Sequence, residues 1–309
     1  MSRDDTDSMS LIEKAAGRIG KVPSGPQPPR PAPPPGAGGA QGFARQPPPA
    51  TKPGAEGAEG GGFASIDVQG LKAQGYLTPD GEKTRVAEEF RIIKRPLLEN
   101  AFGRGAPLVD QGNLAVVTSA LPGEGKTYTA INLAMSIAME MDKTVLLVDA
   151  DVGRAHVHEM LKIPMGPGLI DVLTGDAGNV GDVMLRTDIP KLRVIPMGRY
   201  HPHSNELLAS EEMRRLTQEL AQRYSDRMVI FDAPPLLATS EAVVLSNLMG
   251  QIVFVVQSER TLQSRVKDAL SLVDSSKPVG LVLNKIRKGI ASDYYGYGSY
   301  GYGNYGYHR

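Results

Sequence analysis

The stretch LAVVTSALPGEGKTYTAINLAMSIAM, residues 114–139, decides the architecture. Its first seven residues read as a strand apolar on both faces, the pattern of a strand buried within a covered sheet. The run that closes it is expected to be a helix from Lys126 to Met141. Between them lies Ala120-Leu-Pro-Gly-Glu-Gly125-Lys126-Thr127, a glycine-rich phosphate loop with alanine where the strict pattern begins with glycine. Strand, loop and helix in this order aim backbone N–H groups and a helix N-terminus at an anion. The candidate nucleotide-binding residues are therefore Pro122, Gly123, Glu124, Gly125, Lys126, Thr127 and Tyr128. Lys126 is expected to reach the β and γ phosphates of ATP, and the Thr127 hydroxyl to ligate Mg2+.

Outward from this stretch the chain alternates strand and helix. Further strands are expected at 144–150, 192–198, 228–234, 251–257 and 279–285, with helices around 210–223 and 261–273. Upstream, a helix beginning near residue 84 carries Val86, Phe90, Ile93 and Leu97 on one face, and Pro96 is expected to kink or break it near Arg95. Strands separated by amphipathic helices indicate an α/β fold, a P-loop NTPase-like parallel sheet covered by helices on both faces, over residues 80–290. In such a sheet ligands bind at the C-terminal edges of the strands, where Asp149, Asp151 and Asp232 stand. Magnesium takes one or two carboxylates plus phosphate oxygens and water, which nominates Thr127, Asp151 and Asp232 as its ligands. A tyrosine hydroxyl has a pKa of about 10, so a transfer to it needs a carboxylate to accept its proton. Asp149 is the candidate base, making Lys126, Asp149, Asp151 and Asp232 the expected catalytic set. Asn284, at the end of the last strand, is expected either to contact adenine or to form a strand-end turn.

The flanks differ in composition. Residues 1–20 hold a short amphipathic segment, with Ser10 and Glu13 spaced as a capping box and Leu11, Ile12, Ala15, Ala16 and Ile19 on one side. Residues 21–79 read as a Pro/Gly-rich linker, expected to be disordered. Residues 291–309 form a tail in which seven of the chain's 11 tyrosines, Tyr294, Tyr295, Tyr297, Tyr300, Tyr302, Tyr305 and Tyr307, mostly alternate with glycine. Alternating glycine leaves these hydroxyls on a flexible segment with nothing apolar to form a core, so they are candidate phosphoryl acceptors. The absence of cysteine excludes disulfides, thiolate metal sites and a cysteine nucleophile. Thirty-four Lys and Arg balance 34 Asp and Glu, which removes any global electrostatic case for binding nucleic acid or an anionic membrane. No run of about eighteen apolar residues is present. The expected location is the cytoplasm, at the inner face of the cell membrane through a partner.

The phosphate loop, the apolar strands ending in aspartate and the terminal tyrosines together resemble the bacterial tyrosine kinases, autokinases that control exopolysaccharide synthesis. The segments GYLTPDGEKTRVAEEFRIIKRPLLENA and ALPGEGKTYTAINLA look most like the members associated with exosortase-type exopolysaccharide loci. The resemblance implies that Lys126 and Thr127 form the first Walker motif. It makes Asp149 and Asp151 the extra motif of the family, and Asp232 the Walker B aspartate. It implies transfer to the terminal tyrosines between subunits of a homo-oligomeric ring, through a glutamate-x-x-arginine-x-x-arginine helix that here reads Glu88, Arg91 and Lys94. Lysine keeps the charge of the third position but loses arginine's bidentate geometry. Gly153 stands where the family's second motif carries arginine, with Arg154 next. The implied partners are a membrane-spanning polysaccharide co-polymerase, or chain-length determinant protein, and a phosphotyrosine phosphatase.

Two other functions fit a phosphate loop. A partition or cell-division-site ATPase begins its loop with a signature lysine, whereas this chain has Leu121 followed by Pro122. A non-catalytic, nucleotide-gated adaptor would bind ATP but form no phosphotyrosine.

Overall fold

Among the described residues six of the eight strands run parallel, and the two at one edge run against them. The computed structural model describes residues 61–80, 84–103 and 109–287, all within one compact unit, Ala55–Arg309. The segment 1–20, the linker through residue 60 and the seven tail tyrosines lie outside the described residues. In chain order the elements are β1 (Phe63–Ala64), α1 (Val68–Ala73), α2 (Arg85–Phe102), β2 (Leu114–Ser119), α3 (Lys126–Ala138) and β3 (Thr144–Asp149). There follow α4 (Val157–Leu161), α5 (Leu169–Thr174), α6 (Val180–Val183), β4 (Leu185–Thr187), β5 (Leu192–Ile195), α7 (Ser204–Leu208) and α8 (Glu211–Arg223). The domain closes with β6 (Arg227–Asp232), α9 (Ser240–Leu248), β7 (Gln251–Gln257), α10 (Gln263–Leu270) and β8 (Val279–Asn284).

The sheet order is β1-β4-β5-β3-β6-β2-β7-β8. Every neighbouring pair is parallel except β4 with β5, so β1 and β4 oppose the rest. The sheet is therefore parallel-dominated and mixed. Its central strands are apolar on both faces because helices cover both. On one face Phe90 and Leu97 of α2 and Ile131 and Met135 of α3 pack over Val117, Leu147 and Ile230. On the other, Met213 and Leu220 of α8 and Leu245 of α9 pack over Val116, Val148 and Phe231. The edge strand β8 departs from this pattern, since Leu281 and Leu283 are largely exposed.

Two expectations need correction. Pro96 does not break α2, which continues from Arg85 to Phe102. The missing N–H costs one helical bond, but buried Phe90 before it and Leu97 after it anchor both halves on the same core. The linker also ends earlier than residue 79. β1 pairs with β4, and the Ser65 hydroxyl and Ile66 N–H both donate to Asp188. Asp67 caps α1, accepting from the Gly70 N–H. Ala64, Ile66, Leu71 and Leu77 are buried in the same core as α3. Glycine-rich composition up to Gly62 masked a short apolar strap that docks by burial rather than by its own helical length.

Candidate active site

Polar side chains from beyond β7 and at the end of β8, Thr261, Asn284 and Lys285, converge on the turn after β2. Gly123 and Gly125 have φ of +81° and +100°, left-handed conformations that a side chain disfavours. At Gly125 a Cβ would stand 2.0 Å from Asn284 Nδ2, so the position is closed by space as well as by conformation. The loop is braced from within by Glu124, which is buried and accepts at 2.8 Å from the Leu121 N–H. Its other carboxylate oxygen accepts from the Thr261 hydroxyl, in the loop after β7. None of the N–H groups of residues 123–127 donates to a protein acceptor among the described residues. Five donors left open at a helix N-terminus form an anion cradle.

Lys126 and the three expected aspartates are together. β2, β6 and β3 are neighbours, with Val117 opposite Asp232 and Asp232 opposite Asp149. Lys126 Nζ lies 3.7 Å from Asp151 Oδ2. The aspartates differ in their partners. Asp149 is fully buried, and its two oxygens accept from the N–H groups of Asp151 (3.3 Å) and Val157 (3.1 Å). Burial, and then the charge of Asp232, push its pKa well above the ordinary carboxylate range. Burial also raises Asp151, against the pull of the Lys126 ammonium. Asp232 is fully buried, and among the described residues neither of its oxygens has a partner in good hydrogen-bond geometry, although the Thr127 hydroxyl is close enough to act on it. Burial lifts it to about 7, opposed by the Thr127 hydroxyl and the Lys126 ammonium.

This donor set suits a hard cation. Buried carboxylate oxygens seldom stay unpartnered, and those of Asp232 stand near a hydroxyl that magnesium favours. No group of three or more His, Cys, Asp or Glu residues converges into a ready cage among the described residues. The fit is therefore to an ion that also takes oxygens from a nucleotide.

Three expected site residues behave differently. Tyr128 turns away from the cradle: its hydroxyl donates to the Gly75 carbonyl at 3.0 Å, and its ring lies 4.9 Å from that of Tyr76. It ties the strap to α3. Lys94 leaves the face shared by Glu88 and Arg91, which pair with each other in solvent at 2.6 Å. Lys94 is buried, donating at 2.6 Å to the Ser136 carbonyl and pairing at 2.6 Å with Glu140. As a surface contact between subunits Lys94 is corrected: one helical turn carries its stem into the α2–α3 seam. Asn284 donates at 2.9 Å to the Glu124 carbonyl and accepts from the Lys285 N–H at 2.8 Å.

Sequence reasoning missed Lys285, whose ammonium donates to the Gly123 carbonyl at 2.6 Å. It also missed His156, at the start of α4, whose ring nitrogen Nδ1 lies 3.1 Å from Glu159 Oε2 and which acts electrostatically on Asp151 and Asp232. Lys285 had a signal, its place beside Asn284, whereas His156 had none before α4 was positioned.

The comparisons with known proteins agree with this geometry. The AAA domain family matches residues 115–274. The tyrosine-protein kinase YwqD of Bacillus subtilis is 35% identical over 220 residues, covering 70% of this chain and 88% of that one. The tyrosine-protein kinase Wzc of Salmonella typhimurium is 32% identical over 236 residues, 74% of this chain but 31% of the longer relative. Among solved structures, the chimerical protein CapA2B2 is 29% identical with a TM-score of 0.60, covering 74% of this chain and 95% of that one. With a nucleotide cradle on a parallel-dominated P-loop sheet and these relatives, the chain belongs to the bacterial tyrosine-protein kinases.

Proposed function

We propose that this kinase is an ATP- and magnesium-dependent autokinase acting on Tyr294, Tyr295, Tyr297, Tyr300, Tyr302, Tyr305 and Tyr307 of a neighbouring subunit. The observation that carries the reading is the presence in one chain of an open anion cradle and a terminal row of seven tyrosines. Phosphoryl transfer depends on positioning and charge neutralisation, and the cradle with Lys126 provides both. Magnesium bound beside Thr127 and Asp232 would neutralise charge on the β and γ phosphates. As Lys126 turns to the phosphates it leaves Asp151, freeing that carboxylate beside the transferring group. The tyrosine oxygen then bonds to the γ phosphorus, the bond to the bridging oxygen breaks with ADP leaving, and Asp151 takes the hydroxyl proton. Asp149 is a poorer base than its sequence position suggested, because both of its oxygens already accept backbone hydrogen bonds.

A random coil of sixteen residues, the length of the run from Tyr294 to Arg309, has a root-mean-square span of about 20–24 Å, enough to reach a neighbour's site. Glu88 and Arg91 remain exposed on α2 for the contact between subunits. Each phosphotyrosine adds about −1.5 to −2 charges, so a modified tail repels itself and its neighbours and disperses the assembly until a phosphatase resets it. No described helix is long and apolar enough to cross a membrane. On the resemblance to exopolysaccharide-locus kinases, the assembly works at the inner face of the cell membrane against a membrane-spanning polysaccharide co-polymerase and regulates polymerisation or export.

The test is an anti-phosphotyrosine blot of the purified chain after incubation with ATP and magnesium. Lys126→Met is expected to abolish the signal without loss of fold, and retention at the unaltered rate would remove the assignment. Mixing Lys126→Met with a tail-deleted active chain should label the inactive chain's tail. Absence of that label would favour transfer within one subunit. ATP binding with no phosphotyrosine in any form would favour the adaptor.

A further inference from the structure

The geometry points to Asn284 and Lys285 as positioning residues that set the direction of the phosphate loop's own N–H donors, a role that rests on the site binding nucleotide phosphates. The two adjacent residues at the end of β8 each grip a different carbonyl of the loop. Lys285 Nζ donates to the Gly123 oxygen at 2.6 Å and Asn284 Nδ2 to the Glu124 oxygen at 2.9 Å. No peptide bond among the described residues is cis, and in a planar trans peptide the C=O and the following N–H point in opposite directions. Holding the Gly123 carbonyl on the β8 side therefore turns the Glu124 N–H the other way. Holding the Glu124 carbonyl does the same to the Gly125 N–H. These are two of the open donors of the cradle. A peptide whose carbonyl accepts a hydrogen bond is also polarised, which strengthens its N–H as a donor.

The supporting geometry is particular to this task. Lys285 has φ +58°, a left-handed backbone uncommon for a residue with a long side chain. That conformation accompanies the return of its side chain across the loop, where Cε would stand 3.9 Å from a Cβ at Gly125. Asn284 Oδ1 accepts from the Lys285 N–H at 2.8 Å, fixing the amide so that its NH2 faces Glu124. Gly125 can approach this amide only because it lacks a Cβ. Without these grips, glycine at 123 and 125 would let the two peptide planes rotate, and a rotated plane presents a carbonyl to an anion.

This arrangement separates loop positioning from contact with the base. Magnesium-ADP and magnesium tripolyphosphate, a probe without a base, are titrated calorimetrically into the full chain and into Lys285→Met, Lys285→Arg and Asn284→Asp. Lys285→Met is expected to weaken both probes by a similar factor, about tenfold, with the melting temperature unchanged. Lys285→Arg keeps a charged donor and should retain most of the affinity. Asn284→Asp sets a carboxylate against the Glu124 carbonyl and should weaken both probes further. A loss confined to ADP in these variants would make the pair a base contact and overturn the proposal, as would unchanged affinity for both probes. Failure of the unaltered chain to bind ADP would overturn the nucleotide reading itself, and this inference with it.

Discussion

Asp149 and Asp232 stand opposite each other on the adjacent parallel strands β3 and β6, in register and both fully buried. They are not equivalent. Asp149 spends both oxygens on backbone N–H groups at the start of the β3–α4 connection and in α4. Asp232 has neither oxygen in a well-formed hydrogen bond among the described residues, with only the Thr127 hydroxyl near it. Burying a carboxylate is unfavourable when it is charged: burial holds Asp232 at about 7, and burial together with the neighbouring Asp232 raises Asp149 as well.

The first consequence is a pH dependence of stability. The folded chain holds a proton on Asp232 that the unfolded chain, with its ordinary value of 3.8, has released well below 7. Its stabilising contribution is thus greatest below the unfolded value and is lost as pH rises through the folded one. Asp232→Asn is expected to melt higher than the unaltered chain near pH 8, with the gap narrowing toward about pH 5. Thermal denaturation followed across that range checks it, and a gap independent of pH would show that Asp232 is charged throughout.

At Gly125 alanine would combine a strained backbone with a Cβ placed 2.0 Å from Asn284 Nδ2. Left-handed strain costs about 1–3 kcal/mol, and relief by moving Asn284 releases the Glu124 carbonyl. Gly125→Ala should lower the melting temperature and weaken ADP binding at least about tenfold. At Gly123 nothing stands within 4 Å of an added Cβ, so Gly123→Ala meets conformational strain alone and should be the milder change.

The divided face of α2 gives opposite expectations for neighbouring turns. Removing the buried ammonium in Lys94→Met leaves the Ser136 carbonyl and Glu140 without it, at a cost of about 1–3 kcal/mol in denaturant unfolding. The oligomer mass should not change. Arg91→Ala in solvent should do the reverse, altering mass by light scattering with no change in stability. A mass change from Lys94→Met in a chain of unchanged stability would return Lys94 to the subunit contact.

Leu71, at 1% exposure, is the centre of the strap's contact with the core. Leu71→Ala is expected to destabilise the chain by about 2–5 kcal/mol, the cost of a buried leucine and the cavity it leaves. An unfolding free energy unchanged by this substitution would mean that the strap contributes nothing to the domain.

Local signals in the chain determined much of this protein. The run from Leu114 to Met139 specifies strand, loop and helix through periodicity and two glycines, which are properties of neighbouring residues. Six strand ends and the aspartates at 149, 151 and 232 follow from the same short-range pattern, because a strand buried on both faces must be apolar until it reaches the sheet's edge. What tertiary structure alone decided are the pairings over long separations. The two-residue β1 is too short to be read locally and exists because β4 pairs with it, Phe63 opposite Arg186 and Ala64 opposite Thr187, with Ser65 and Asp188, 123 residues apart, bonded just beyond the strands. Lys94 and Arg91 read alike as cations on one helix, and only the position of α3 buries one of them. Asp149 and Asp232 read alike as strand-end carboxylates, and only the register between β3 and β6, with the path of the chain into α4, decides which has free oxygens. Asn284 and Lys285 read as the end of a strand. Their hold on Gly123 and Glu124 depends on β7 and β8 being laid beside β2, since hydrogen-bond direction is a matter of three-dimensional placement and no local periodicity encodes it.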